Sequence, residues 1–330
     1  MADAQQGRVD LNHGPLPSGC RCSGFDSGLA AVTWAYAYRR SLAYPAPSCV
    51  YPRGPQRSRA VVGPSLGPWA EPRFSIGDHE VVPPITLTAR ARAVWESLAG
   101  VQVAFAPVVR VAVSSRSALC PPGWAGLVVI DGAAIVTAPD RDVTQVMQEA
   151  LGTVPVATVT DVEVLASKLE IADMLGPATL AHLDREDFRP QHALAVIELP
   201  DVRHPELRRF LSRADAEDLG ESGIEQITSP AFVIREHAEI TAVAGYRDWP
   251  GQVAHLSVLT ARHARGRGLA CATASAAVSL ALGENKLPQW RARPEASRRI
   301  ARRLGFRELG SQVSIRLGNR QSTGRQDPSC

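Results

Sequence analysis

Apolar residues along this chain keep a regular period only from about Ile85 onward. The stretch TARARAVWESLAG (88–100) spaces them for one face of a helix, while VQVAFAP (101–107) and VVRVAVS (108–114) alternate or run apolar like strands. GLVVIDGAAIVTAP (126–139) reads as strand, Asp-Gly turn and strand, because that dipeptide tolerates the positive φ angles of a tight hairpin. DRDVTQVMQEAL (140–151) follows as an amphipathic helix with Asp140 suited to its N-cap. Residues 161–188 are predicted to be helical and connecting.

From Ala193 the predicted elements fall into a clear order. ALAVIEL is a strand, and HPELRRFLSRADAEDLG is one helix with Pro205 in its first turn and Gly220 near its end. PAFVIRE and EITAVAGYRDW are strands joined by a polar turn at 236–238, and VAHLSVLT is the next strand. A helix of small residues runs from Gly268 to Gly283. It is followed by strand LPQWRAR, helix PEASRRIARRLGF with a Gly stop, and the closing strand or pair RELGSQVSIRL. The order β-α-β-β-β-α-β-α-β predicts an α/β fold. Its C-terminal unit, 190–330, is a mixed, mostly antiparallel sheet flanked by helices, preceded by a smaller α/β region over 85–185.

Composition changes this picture mainly at the N-terminus. Residues 1–84 hold 11 of the 25 prolines, and such density breaks helices and strands alike. They are expected to be a disordered or spurious extension; the next Met after Met1 is Met147, so a later start would use another codon, near Val81. Hydrophobic residues make up 45% of the chain, enough for a packed core, and aromatics only 5%, which leaves the filling to Ala, Val and Leu. Trp95, Cys120 and Trp124 are expected to be packing residues. Lys and Arg number 36 against 33 Asp and Glu, a net +3 that gives no charge argument for a polyanionic partner. Arg far exceeds Lys, as GC-rich coding would produce, and this points to a bacterial source. The six cysteines are scattered, as expected for reduced thiols in a cytoplasmic protein. Cys20 and Cys22 lack a second Cys/His pair at ligand spacing, so no metal is expected. No apolar run reaches the ~20 residues of a membrane span.

The candidate chemistry lies in RHARGRGLACATASAAVSLAL (262–282). A strand, a basic glycine turn and a helix start are a ready anion site. The first helical N–H groups have no intrahelical partner, and the helix dipole adds about half a positive charge there. Gly266 and Gly268 let an anion approach the backbone, and Arg265 and Arg267 add charge. The helix behind offers Ala, Ser, Thr and Cys where a DNA-reading helix would carry Arg, Asn or Gln, which argues against a nucleic-acid partner. The turn lacks the Gly-Lys-Ser/Thr of a P-loop and the glycine spacing of a dinucleotide fold.

VLTARHARGRGLA followed by ASRRIARRLGFRELG resembles the GNAT N-acetyltransferases. Their Gln/Arg-x-x-Gly-x-Gly/Ala phosphate motif is matched by Arg265-Gly266-Arg267-Gly268-Leu269-Ala270, and their helix ending in Leu-Gly-Phe by Ser297 and Leu304-Gly305-Phe306. The resemblance covers about the last 140 residues. It implies acetyl-CoA as co-substrate, an amine of a small molecule or protein as acceptor, and direct transfer in a ternary complex. It further implies that Val258, Leu259 and Thr260 pair with the pantetheine arm, that N–H groups from Gly266 to Ala270 hold the pyrophosphate, and that VAHLSVL and LPQWRAR splay apart. Where many members have a Tyr acid this chain has Ala301, and Pro294 replaces an Asn. His255 is the candidate base, with Glu239, Tyr246 and Asp248 as further participants; the alternative is positioning alone, with water taking the proton. The missing acid leaves open a non-catalytic acyl-CoA sensor. Arg298, Arg299, Arg302 and Arg303 form a solvated face or meet the 3′-phosphate of CoA, and Cys271 is a packing residue.

Overall fold

The structure, a computed structural model, describes residues 85–191 and 194–318. The extension over 1–84, with Cys20 and Cys22, lies outside the described residues, as does Ala193 at the start of its predicted strand. The first helix, α1 (Leu87–Leu98), begins at Thr86, whose hydroxyl accepts the Ala89 N–H at 3.2 Å. A short strand β1 (Val111–Val113) precedes the hairpin of β2 (Ala125–Ile130) and β3 (Ala133–Ala138). Asp131 and Gly132 turn that hairpin with φ of 49° and 73°, as the dipeptide predicted. Helix α2 (Arg141–Leu151) is capped by Asp140, whose carboxylate accepts the Val143 N–H at 2.9 Å. VQVAFAP, expected as a strand, supplies one bridge, Ala106 to Ala134. The free edge of β3 is already taken by β1 from Val136 to Ala138, so little edge is left for it to pair with.

The stretch 161–188 departs further from its predicted helix. Beside a 3-10 turn at Arg185–Asp187, only α3 (Val162–Lys168) is helical, and Ile171–His182 is a twelve-residue strand, β4. The spacing of Ile171, Met174, Leu175 and Ala178 suits a helix, but β4 is paired along one edge by the last strand and over Thr179–His182 along the other. Ladder bonds and burial on both sides override a local periodicity of that kind. The helix predicted over 204–220 is likewise two, α4 (Pro205–Leu211) and α5 (Ala216–Ser222). A straight helix would place Asp215 on the stripe of Leu207, Leu211 and Leu219. Asp215 instead takes extended angles and pairs with Arg262 at 2.8 Å, so its carboxylate stays out of the core.

The remaining elements are β5 (Ile197–Leu199), β6 (Ala231–Glu236), β7 (Glu239–Trp249), β8 (Val253–Thr260), α6 (Leu269–Gly283), β9 (Leu287–Ala292), α7 (Glu295–Leu304) and β10 (Arg307–Leu317). Among the described residues ten strands form one sheet in the order β1-β3-β2-β10-β4-β9-β8-β7-β6-β5. Only β1/β3 and β8/β9 are parallel; every other neighbouring pair is antiparallel. The sheet crosses the sequence boundary near residue 190 without a break, because β4 sits between β9 and β10.

Alternation along the strands sends side chains to two cores. Ala244, Tyr246, Ala254, Leu256, Trp290 and Ala292 pack under α6 and α7. Trp249, Val253, Leu287 and Leu180 face the other way and meet Leu87, Trp95 and Leu98 of α1. Among the described residues no helix is long and apolar enough to cross a membrane.

Where β10 passes β2, Gly310 sits opposite Ile130 and a Cβ there would stand 1.8 Å from the Val129 carbonyl oxygen. Gly310→Ala should therefore cost about 2–3 kcal/mol in denaturant unfolding, from overpacking against fixed backbone. Gly283→Ala, with open space around the new methyl, should leave stability unchanged or raise it by up to about 1 kcal/mol.

Candidate functional site

Strands β8 and β9 start as parallel neighbours and then part. Their register holds for Val253–Leu287, Ala254–Pro288 and His255–Gln289 and ends there, while β8 stays paired to β7 as far as Thr260. Beyond His255 the β9-facing edge of β8 borders a cleft of about 540 Å³. Val258, Leu259 and Thr260 line it, and the Thr260 hydroxyl is buried with no hydrogen-bond partner.

One end of the cleft is the start of α6. Gly266 and Gly268 have φ of 78° and 81°, and a Cβ on either would meet nothing within 4 Å. These glycines therefore hold the turn open beside the cleft. Arg265, Gly266, Gly268, Leu269 and Ala270 all line it. Arg267 does not: its guanidinium turns to Glu236, with bonds of 2.8 and 2.5 Å. Arg265 bonds Asp218 at 2.6 Å. Burial pushes that carboxyl up, but hydrogen bonds from Arg265 and Arg262 outweigh it and hold it below its usual value.

Helix α7 divides its arginines between two tasks. Arg298 and Arg302 bond Glu308 at 2.6 and 2.7 Å and also face Glu295, forming a surface network. Arg299 and Arg303, one stripe over, line the cleft. Ser297 lines it too and accepts the Trp290 indole N–H at 3.0 Å. Ala301 is buried in the core beneath α6. Cys271 lies at the cleft wall, its thiol pushed up by burial, which keeps it protonated and unreactive.

On the opposite face a polar row crosses four strands in register: Arg247 of β7, His255 of β8, Gln289 of β9 and His182 of β4. His255 Nδ1 bonds Gln289 Oε1, so Nδ1 carries the proton and Nε2 the lone pair. Its ring stacks on Trp249 at 4.4 Å between centroids, and Trp249 meets Trp95 of α1 edge-on at 5.8 Å. Burial, then the charge of Arg291, pushes the His255 imidazole down to about 3, against a smaller upward pull from Gln289. Burial and Arg90 push His182 to about 3 as well.

Glu239, Tyr246 and Asp248 do not line the cleft. Glu239 pairs with Arg213 at 2.9 Å, Tyr246 donates to Glu284 at 2.6 Å under α6, and Asp248 pairs with Lys286 at 2.5 Å. Sequence reasoning missed Arg247, Arg291, Glu221 and Gln226, all in the cleft wall. The alternation of β7 was the available signal: with Tyr246 inward under α6, Arg247 had to face the other side.

The unfolded chain protonates both histidines near pH 6.5 and the folded one only near pH 3, so the unfolded state binds more protons between those values. Stability should accordingly fall as pH drops from about 6.5 towards 3, by up to about 1.4 kcal/mol per pH unit for each histidine. Urea midpoints across that range check this, and His182→Leu should flatten the slope.

Residues 231–311 match the family model described as GNAT acetyltransferase. Among curated proteins no relative matches the chain. Solved structures with a similar arrangement include a putative GNAT acetyltransferase from Novosphingobium aromaticivorans, at 17% identity and TM-score 0.35, covering 44% of this chain and 65% of that one. A GCN5-related N-acetyltransferase from Kribbella flavida matches at 18% identity and TM-score 0.35, covering 48% and 63%. A GCN5-related N-acetyltransferase-like protein from Streptococcus suis matches at 16% identity and TM-score 0.37, covering 59% and 84%. The chain thus spans about two thirds of the length of the first two. Over residues 231–311 the C-terminal part of this chain is thus similar to the GNAT acetyltransferase family.

Proposed function

We propose that the chain is an acetyl-CoA-dependent N-acetyltransferase acting on an amine by direct transfer. The observation that carries this reading is the parting of β8 from β9 after His255, because it leaves a strand edge with backbone donors and acceptors facing a cleft. A pantetheine arm is an amide chain and fits such an edge, at Val258, Leu259 and Thr260, where the Thr260 hydroxyl also lacks a partner. The open backbone at Gly266 and Gly268 suits a pyrophosphate on the N–H groups up to Ala270, with Arg265 alongside and Arg299 and Arg303 within reach of further phosphate. Arg267 contributes its backbone only, since its side chain is engaged by Glu236.

Acetyl-CoA would supply a thioester, from which the acetyl group would pass to the amine as the C–N bond forms and the C–S bond breaks, the sulfur leaving as CoA thiolate and taking up a proton from water. The amine must arrive unprotonated. With its imidazole pushed down to about 3, His255 keeps its Nε2 lone pair at neutral pH and accepts a hydrogen bond from the amine, while water carries the proton away. In this reading His255 orients the nucleophile, and alignment in the cleft does most of the catalytic work.

Gly268→Glu tests the cradle. It should weaken acetyl-CoA binding by about a hundredfold or more in calorimetry, because it puts charge and bulk where phosphate sits, while Gly283→Ala should bind as the parent does. Unchanged affinity in Gly268→Glu would refute the cofactor assignment. Tight acetyl-CoA binding without release of the CoA thiol in the presence of any amine would make the domain a sensor instead.

A further inference from the structure

Helix α5 and the turn after it form one wall of the cleft, through Asp218, Gly220, Glu221, Ser222 and Gly223. Apolar packing does little to hold that wall. No residue of α5 is buried, and of its seven only Leu219 leans on the core below. The helix ends at Gly223, whose φ of 59° suits a glycine hinge. Charge fixes the segment instead. Asp218 meets Arg265 at 2.6 Å and Arg262 at 3.3 Å, Asp215 meets Arg262 at 2.8 Å, and Glu221 pairs with Arg293 at the far end. Of the two carboxylates lining the cleft, only Asp218 reaches the glycine turn. Its partner Arg265 also donates from Nε to the Thr260 carbonyl oxygen at 3.3 Å. One guanidinium therefore ties α5 to the end of the β8 edge, beside Gly266.

We infer that Asp218 competes with a cofactor phosphate for Arg265, so that a pyrophosphate arriving at the glycine turn displaces the carboxylate and releases α5 at that end. This inference rests on the acetyltransferase reading for the identity of the anion. Carboxylate and phosphate oxygens meet a guanidinium in the same planar geometry, so each can take the place of the other. Two anions a few ångströms apart also repel, which disfavours keeping both at one arginine. Linkage makes the effect reciprocal: the factor by which the Asp218 tether weakens cofactor binding is the factor by which the cofactor weakens the tether. Glu221 and Ser222 belong to the released segment, so cofactor binding loosens one wall of the cleft, while the pair of Glu221 with Arg293 still anchors its other end.

The test titrates the full chain with CoA in a calorimeter and follows amide hydrogen exchange over residues 212–226. Asp218→Asn should bind CoA about tenfold tighter than the parent, because it removes the competing charge. Asp218→Glu keeps that charge and should stay within about threefold of the parent. Glu239→Gln makes the same change of charge at a pair with Arg213 outside the cleft, and should stay within about twofold. Exchange over 212–226 should quicken in the parent when CoA binds, and should already be quick in Asp218→Asn without it. The inference is overturned if Asp218→Asn binds CoA no more tightly than the parent, if Glu239→Gln gains as much, or if CoA leaves exchange over 212–226 unchanged or slower. If neither parent nor variants bind CoA, the cofactor reading falls and this inference with it. Tighter binding by Asp218→Asn without release of the CoA thiol in the presence of any amine leaves the inference standing and defeats the transferase reading.

Discussion

The separation of β8 from β9 after three paired residues is the constraint on which the rest of the site depends. A sheet interior normally satisfies its backbone by pairing, and an interior strand that stops pairing exposes groups that need a partner. Here β8 is held straight by β7 through Thr260, and β9 is drawn to β4 over Thr179–His182, so each strand follows a different neighbour. The gap between them becomes the cleft, with the head of α6 at one end and the polar row at the other. The cleft therefore connects the two faces of the sheet.

That geometry gives the N-terminal part of the chain a role in the site. Strand β4 supplies the partner that draws β9 away, and His182 of β4 ends the row that begins at Arg247. Helix α1 places Trp95 against Trp249, which in turn carries the His255 ring. The α6 face of the cleft is built from residues after 190, whereas the His255 face leans on residues before it.

Much of this was legible beforehand where local chemistry decides the outcome. The Asp131-Gly132 hairpin, the Asp140 cap, the Gly266 and Gly268 turn and the order of the strands after 193 all follow from short-range rules. Three readings failed for one shared reason: the deciding interaction lay outside the segment itself. β4 looked helical because its spacing fits a helix, and only pairing to strands over 100 residues away makes it extended. VQVAFAP lost its place to β1, and the helix over 204–220 broke to free Asp215 for Arg262. Within the candidate site, the glycine turn was visible because it is contiguous. Arg247 and Arg291 were missed because they lie on different strands, and only the fold brings them to one wall.

A crystal structure of the chain with CoA is the most direct measurement of the central claim. The account predicts a pantetheine arm threaded between β8 and β9 along Val258–Thr260, a pyrophosphate against the backbone of Gly266–Ala270, and a thiol end near His255. CoA bound anywhere else, or β8 and β9 closed together along their full length with CoA present, would contradict it.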